Sequence, residues 1–272
     1  MFKYAGIALL PALVLLTGCP PPRAPGVAPQ SEQQALARVN ENLSQINGPV
    51  QYNGYASFRF RDSAGKDRRF LGQETVLIFA QPHDLRFDIR SLSGTIAQFG
   101  SNTERFWLWI EPEVKKLWWG AWANLGQSEN RLPLPPDDLI DSLMLRPLPP
   151  TQPNGSPPRL RHTGGKYYLV YERGAGTREI QLDSNPPYQP TEIVDRLSDN
   201  RIEMRAILSN YHQVGGTGPY TPHKYVIYWP QDEAEMRLDV RRAVFRPDLP
   251  AEAFAFPSGW QGETEELDVA QQ

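Results

Sequence analysis

YNGYASFRF, the stretch at residues 52–60, alternates between mostly apolar and mostly polar side chains. Successive side chains of a β-strand point to opposite faces, so this period of two predicts a strand with one dry face and one wet face. The segments LRFDIR at 85–90 and MRLDVR at 236–241 repeat the alternation. Strands of this kind are typical of an antiparallel sheet that is covered on one side.

Further segments combine strand length with β-branched and aromatic residues, and polar or glycine turns separate several of them. They are 69–79, 95–101, 105–110, 115–119, 166–172, 178–183, 192–197, 201–209 and 224–229. With the first three, this predicts a mainly β (α+β) chain of about eleven or twelve strands, whose sheet must curl or close because twist accumulates.

Two helices are expected beside this sheet. Residues 31–46 begin at Ser31, a capping residue with Gln34 three positions later, and end before Gly48-Pro49. Residues 136–145 begin at a proline followed by two aspartates, which suits the first turn of a helix. The apolar residues that recur at helical spacing in these segments are Leu36, Val39, Leu43 and Ile46, then Leu139, Ile140, Leu143 and Met144.

The N-terminus has the order of a secretory signal. A positive charge at Lys3 precedes an apolar run at 7–16, which is well short of the roughly 20 residues that span a bilayer. Leu16-Thr17-Gly18-Cys19 then resembles the lipobox of bacterial lipoproteins, and Cys19 is the only cysteine of the chain. We expect cleavage of a signal peptide at 1–18 and lipidation of Cys19; the alternative is an ordinary signal peptide with a chance cysteine.

Proline content and net charge limit the interpretation of the rest of the chain. Five of the ten residues at 20–29 are proline, which predicts an extended tether at 19–30, and a second proline-rich stretch at 146–158 predicts a long surface loop or a boundary between two halves. With Cys19 acylated no disulfide is possible, so a hydrophobic core must hold the fold. The net charge of −3, without a long basic block, argues against nucleic acid as a partner.

No catalytic or metal-binding constellation stands out. Asp137, Asp138 and Asp141 match a magnesium-pyrophosphate pattern, but acidic residues at a helix start explain them without a metal. The four histidines lack metal-ligand spacing, no Gly-x-Ser-x-Gly elbow exists, and the glycines at 215–218 lack the setting of a phosphate loop. The sequence therefore predicts a non-enzymatic protein without a cofactor or metal.

Aromatic residues concentrate in one predicted hairpin that is apolar on both faces. It carries Trp107 and Trp109 on one strand, Trp118 and Trp119 on the next, and Trp122 just beyond. A thick aromatic core would account for this, and so would a cavity lining or a membrane-facing tip, because tryptophan favours sites with one apolar and one wet end.

The order of motifs resembles the LolA/LolB superfamily of bacterial envelope proteins, on its lipoprotein, LolB-like side. The motifs are Tyr52-x-Gly54, Phe79-x-x-Pro82-x-x-Leu85-Arg-Phe-Asp-Ile89, a Gly94 turn, Leu132-Pro133-Leu134 and Leu249-Pro250-x-x-x-Phe254-x-Phe256-Pro257. The resemblance spans roughly 31–259. It implies a single domain at 31–260, built as an incomplete antiparallel barrel whose two helices cap a cavity for acyl chains. The 146–158 segment would be an insertion and 261–272 a polar C-terminal tail.

The resemblance also implies a function: binding of acyl chains or lipoproteins, with a role in lipoprotein localisation and a periplasmic carrier protein as a partner. The expected location is the periplasmic side of the outer membrane, because Pro20 and not aspartate follows Cys19; the outer face of the cytoplasmic membrane is the alternative. A scaffold or stress sensor with the same fold is the alternative function. The candidate lipid-binding residues are Leu36, Val39, Leu43, Phe87, Ile89, Trp107, Trp109, Trp118, Trp119, Trp122, Leu139, Leu143 and Met144, and the best candidate for an exposed apolar loop is 118–122.

Overall fold

A computed structural model describes residues 28–29, 31–61, 65–111, 115–124, 136–185 and 187–267. Cys19, its lipobox, the signal peptide and the Leu132-Pro133-Leu134 motif lie outside this range. Among the residues described, no helix is long and apolar enough to cross a bilayer.

One large sheet dominates the described residues, with two α-helices packed on one side. The helices are α1 (Glu32–Leu43) and α2 (Pro136–Ser142). The strands are β1 (Val50–Arg61), β2 (Asp67–Ala80), β3 (Asp84–Ser91), β4 (Gly94–Ser101), β5 (Arg105–Ile110), β6 (Lys116–Ala121), β7 (Arg159–Thr163), β8 (Lys166–Arg173), β9 (Gly176–Leu182), β10 (Pro190–Arg196), β11 (Ile202–Gln213), β12 (Tyr220–Trp229), β13 (Ala234–Phe245) and β14 (Glu263–Glu266).

The strand order explains the shape. It runs β14-β6-β5-β4-β3-β2-β1-β13-β12-β11-β10-β9-β8-β7. Pairing of β1 with β13 joins the two halves of the chain into one sheet, and every neighbouring pair is antiparallel except β14 on β6. Because β7 and β14 remain unpaired edges in the described structure, the sheet curls without closing. This confirms the predicted fold class, a mainly β, incomplete barrel.

The inner face is the face of the sheet that carries the helices. In β1 the buried positions include Tyr52, Ala56 and Phe58, which confirms the predicted alternation. Gly54 belongs to the same face, where the Asp239 backbone carbonyl comes within 2.1 Å of the place a Cβ would occupy. A glycine is therefore required where β1 and β13 shift register at this point.

α1 begins as predicted and is held by its polar residues as well as its apolar ones. The backbone N–H of Gln34 donates to Ser31 Oγ at 3.2 Å. Farther along, Asn40 exchanges two hydrogen bonds with the backbone of Leu148, each 2.8 Å. Asn42 does the same with the backbone of Tyr220, at 2.7 and 2.8 Å. Two side-chain amides thus fasten the helix to the proline-rich segment and to β12.

α2 is shorter than predicted. It ends at Ser142 rather than near residue 145, because Met144 takes a left-handed backbone with φ 51°. The residues that follow, 146–153, run across the inner face, and we term them the proline strap. Tyr171 donates to the carbonyl of Pro149, and the Gln152 side chain is buried. The strands that follow this stretch, β7–β13, belong to the same sheet as those that precede it.

The last described residues cross the outer face of the sheet. Phe256 packs edge-on against Trp107, with ring centroids 5.5 Å apart, and Trp260 lies 5.6 Å from Trp109. The chain then forms β14, whose Glu263 and Glu265 pair with Lys116. Residues 263–266, predicted as part of a polar tail, are therefore an edge strand of the domain.

Candidate functional site

A small apolar cavity lies on the inner face beside α2, and we term it the inner pocket. Its volume is about 40 Å³. Phe87, Ile89 and Leu139, which were predicted as lipid-binding residues, meet here. The other lining residues are Phe58, Arg59, Phe60, Phe70, Ile96, Ala97, Phe99, Leu108, Ile110, Ala234 and Glu235.

Aromatic side chains nearly fill the inner pocket. The rings of Phe58 and Phe87 are 5.9 Å apart, and those of Phe60 and Phe70 stack at 6.3 Å. The free volume is far below the roughly 300–1,000 Å³ of typical ligand sites. A bound chain would therefore have to displace side chains or α2.

Apart from Leu139, the predicted helical residues are buried but do not line this pocket; they hold the helices in place. Leu36, Val39 and Leu43 pack α1 into the core, and Leu143 does the same just beyond α2. Met144 lines a different pocket, described below.

The tryptophans divide between the two faces of the sheet. Trp107, Trp109 and Trp119 lie on the outer face, where Phe256 and Trp260 cover them. They therefore do not line the inner pocket. Trp118 packs against the inner core, opposite the pocket residue Leu108.

Trp122 is also half-buried. It packs on His83 and Phe106, and its indole N–H donates to the carbonyl of Asn102 at 2.7 Å. The prediction of an exposed apolar loop at 118–122 is therefore wrong, because 118–121 lie within β6 and Trp122 is tied to its neighbours.

The exposed leucines were missed by sequence analysis. Leu92, in the turn between β3 and β4, is fully exposed, and Leu71 on β2 is 70% exposed. The β3–β4 turn follows Ile89 and precedes Ile96, both of which line the inner pocket, so Leu92 lies at the pocket's end of the sheet. A single leucine between two serines shows no periodicity, so the sequence pattern does not predict an exposed apolar side chain there.

Buried charges join α2 to the sheet. Arg178 of β9 donates through Nε and Nη2 to the two carboxylate oxygens of Asp195, both at 2.7 Å. Arg178 also pairs with Asp141, and Arg173 pairs with Asp138 and with Asp195. We term these five residues the carboxylate–arginine cluster; it fixes α2 across the inner face.

The cluster shifts the ionisation of its carboxyl groups in both directions. Burial raises the pKa of Asp138 to about 7, with Asp137 and Asp195 adding to the effect of burial against the opposing Arg173 and Arg178. Burial would raise the pKa of Asp141 too, but the adjacent Arg178 and Arg146 lower it overall. Asp138 consequently changes charge near neutrality.

A second and larger cavity lies on the other side of α2, under the proline strap, and we term it the strap pocket. Its volume is about 450 Å³, within the range of typical ligand sites. It is lined by Asp141, Met144, Arg146, Pro147, Leu148, Pro149, Thr151, Gln152, Pro153, Tyr171, Glu172, Arg173, Arg178, Ile180 and Ile193. The sequence did not predict it, because its wall is a segment without regular structure.

The aspartates of α2 have arginine partners. Asp137 and Asp138 both approach Arg173, and Asp141 pairs with Arg146 and Arg178. Within the described ranges, no group of three or more acidic or histidine residues could hold a metal ion.

Solved structures resemble this chain, but sequence comparisons find no match. No protein-family model matches the sequence, and no curated protein matches it either. A solved domain from Vibrio parahaemolyticus, assigned to outer membrane lipoprotein sorting, superposes with a TM-score of 0.50 at 13% identity, over 82% of this chain and 97% of that one. A DUF1329 family protein from Desulfovibrio piger gives 0.51 at 10% identity, over 85% and 100%. A LolA superfamily protein from Nitrosomonas europaea gives 0.49 at 13% identity, over 83% and 98%.

At these identities the first two similarities show a shared fold. That fold is the open, curled sheet with helices on one face, as the resemblance to the LolA/LolB superfamily implied.

Proposed function

We propose that this chain is a membrane-anchored lipoprotein that binds lipid acyl chains or lipoproteins on the inner face and serves their localisation in the bacterial envelope. It does so without catalysis. The observation that carries the proposal is the inner pocket, whose lining is almost wholly hydrocarbon and aromatic and which lies beneath a short helix. Hydrocarbon chains are the ligands for which such a lining is suited.

Binding requires the pocket to widen, and hydrocarbon burial can drive this. Each methylene transferred from water contributes about 0.8 kcal/mol, so half of a fatty chain offsets a substantial rearrangement of the aromatic rings. α2 has only seven residues and contributes Leu139 to the pocket, so it would move together with the rings, and this movement must break the ion pairs that the carboxylate–arginine cluster makes with Asp138 and Asp141. The release of cargo then follows from the return of the rings and α2 to the packed state.

The anchor and the exposed leucines fit this role. Lipid on Cys19 and a proline-rich tether would hold the domain near a bilayer, and Pro20 favours the outer membrane, facing the periplasm. Leu71 and Leu92 expose hydrocarbon at the pocket's end of the sheet, where acyl chains would enter from a bilayer or from a periplasmic carrier protein.

Fluorescence quenching by brominated fatty acids tests the proposal. We expect saturable quenching of the full chain, carried mainly by the two tryptophans that are paired with lining residues on the inner face, Trp118 opposite Leu108 and Trp229 opposite Ala234. A chain that carries both Trp118→Phe and Trp229→Phe should therefore lose most of the quenching. Trp109→Phe is the matched control, because Trp109 lies on the covered outer face, and it should leave the quenching intact.

A second function has one observation in its favour. The small free volume of the inner pocket fits a scaffold or envelope-stress sensor that uses the same sheet without cargo. Quenching no stronger than that of free tryptophan in solution would favour this alternative and contradict lipid binding at the inner pocket.

A further inference from the structure

The lining of the strap pocket is of two chemical kinds. Met144, Leu148, Ile180 and Ile193 supply apolar surface, and Ile180 and Ile193 are paired with each other across β9 and β10. Arg146, Arg173 and Arg178 supply positive charge, together with the carboxylates of Asp141 and Glu172, and Arg178 lies two residues before Ile180 on β9. A ligand that fills this space must have a hydrocarbon part and a polar part.

Not every arginine here is available to a ligand. Arg178 donates hydrogen bonds from Nε and Nη2 to Asp195 and from Nη1 to Asp141. Arg173 uses Nη1 and Nη2 on aspartates, while its Nε has no acceptor among the described residues, and its side chain is 32% exposed. Arg146 binds Asp141 through Nε and Nη2, but its Nη1 makes only long contacts of 3.4 Å with the Pro82 carbonyl and the His83 ring.

The spare donors specify an anionic group of low charge. Arg146 Nη1 and Arg173 Nε can donate to phosphate or carboxylate oxygens, the acceptors that guanidinium groups favour. The carboxylates nearby limit the positive potential, because Asp137, Asp138, Asp141 and Asp195 pair with the three arginines and Glu172 also lines the pocket. A singly charged phosphodiester suits such a site better than a dianion.

We propose that the strap pocket binds an amphiphile of the phospholipid class, with its acyl chain on Leu148, Ile180 and Ile193 and its phosphodiester at Arg146 and Arg173. The site lies across α2 from the inner pocket. The inference shares the lipid chemistry of the proposed function but names a separate site with a requirement for a charged headgroup.

Photolabelling of the full chain tests the inference. The chain is reconstituted in phosphatidylcholine vesicles with a trace of phosphatidylglycerol that carries a diazirine in one acyl chain. A diacylglycerol with the same labelled chain is the headgroup control. After irradiation, mass spectrometry of peptides separates the strap pocket (Leu148, Ile180, Ile193) from the inner pocket (Ile89, Ile96).

We expect phosphatidylglycerol to label the strap-pocket peptides several-fold more than diacylglycerol does. Arg146→Gln should lower this labelling on the order of tenfold, because it removes a charge-assisted hydrogen bond. Arg161→Gln is the matched control, since Arg161 is exposed and pairs with Glu179 away from the pocket, and it should have no effect.

A second pair of variants tests the space itself. Leu148→Trp fills the strap pocket and should abolish its labelling, whereas Leu160→Trp, at a half-buried position outside the pocket, should not. Equal labelling by the two probes, or labelling of the inner-pocket peptides alone, would overturn the inference while the proposed function stands. If neither pocket is labelled, both the inference and the proposed function are contradicted. If the strap pocket alone is labelled, the inference is supported and lipid binding at the inner pocket is not.

Discussion

At the scale of single residues, Asp138 makes stability depend on pH. Its pKa of about 7 in the fold lies above the ordinary value of 3.8, so the folded chain binds more protons than the unfolded chain between these values. The contribution of Asp138 to the free energy of unfolding is therefore largest below the ordinary value of 3.8 and decreases as pH rises from there to about 7. Above about pH 7 the decrease is complete, because Asp138 is then charged in both states.

Asp138→Asn isolates this effect. The variant should lose the part of the pH dependence that Asp138 supplies. The urea midpoint of the variant minus that of the parent chain should therefore increase between about pH 5.5 and about pH 8. The comparison must be with the parent at each pH, since burial lowers the pKa of His83 and His223 and these act in the opposite direction. A constant difference between variant and parent would contradict the role given to Asp138.

Gly100 shows how tightly the sheet packs on its outer face. The indole of Trp107 lies across it, with Trp107 Cε2 only 2.3 Å from the place a Cβ would occupy. Gly100→Ala should push the indole aside and lower the free energy of unfolding by about 1–3 kcal/mol in chemical denaturation. Gly48→Ala, where nothing lies within 4 Å of the added Cβ, should change it little. Equal effects of the two substitutions would show that the indole yields freely.

Some site residues were predictable one by one and others were not. Phe87 and Ile89 follow from strand alternation, and Leu139 from helical spacing; the structure brings all three to the inner pocket. The sequence did not predict which face of the sheet each tryptophan occupies, because β5 carries apolar side chains on both faces and shows no apolar–polar alternation. Only the position of Phe256 and Trp260 distinguishes the faces.

At the scale of elements, alternation located the long strands and missed the two edges of the sheet. β7, with the sequence RLRHT, and β14, with ETEE, are short and polar, since neither edge strand is covered as the central strands are. The early end of α2 was hidden for another reason: leucine and methionine continue the apolar pattern beyond Ser142, while the backbone at Met144 has already left the helix.

The segment that crosses the outer face should contribute measurably to stability. Phe256 contacts Trp107 and Trp119, and Arg105 lies over its ring. Phe256→Ala should therefore destabilise the domain by about 1–3 kcal/mol, less than a fully buried phenylalanine, and shift tryptophan emission to the red. Glu252→Ala, at an exposed position of the same segment, should have an effect within about 0.5 kcal/mol. An unchanged midpoint and emission in Phe256→Ala would mean that the segment is not bound to the sheet in solution.

At the scale of the whole molecule, the sequence determined the fold class but not the division of the inner face. Both pockets flank α2, and their charged residues are far apart in sequence: Asp138 pairs with Arg173, and Asp141 pairs with Arg178. Such contacts leave no local pattern, whereas the period of two in each strand does. The carboxylate–arginine cluster and the strap pocket could therefore be found only in three dimensions.

The anchor is tested on the complete chain. Cys19→Ser should abolish metabolic labelling by a fatty acid and release the protein from the membrane fraction, since the thiol is the atom that receives the lipid. Adding Ser44→Cys to this variant should not restore the label, because a thiol outside the lipobox is not a substrate for acylation. Fatty-acid labelling of Cys19→Ser would contradict the assignment.

The open sheet also has a consequence for colloidal behaviour. An uncovered strand is a template on which another copy can add its own backbone, and charged side chains protect against this. Here the two ends of the sheet carry opposite signs: arginines at 159 and 161 on β7, and glutamates at 263, 265 and 266 on β14. Like edges of two molecules repel each other, while unlike edges attract. In acid the glutamates are protonated, so both the repulsion and the attraction disappear at the β14 edge. The short length of β14 is then what limits the addition of another strand there.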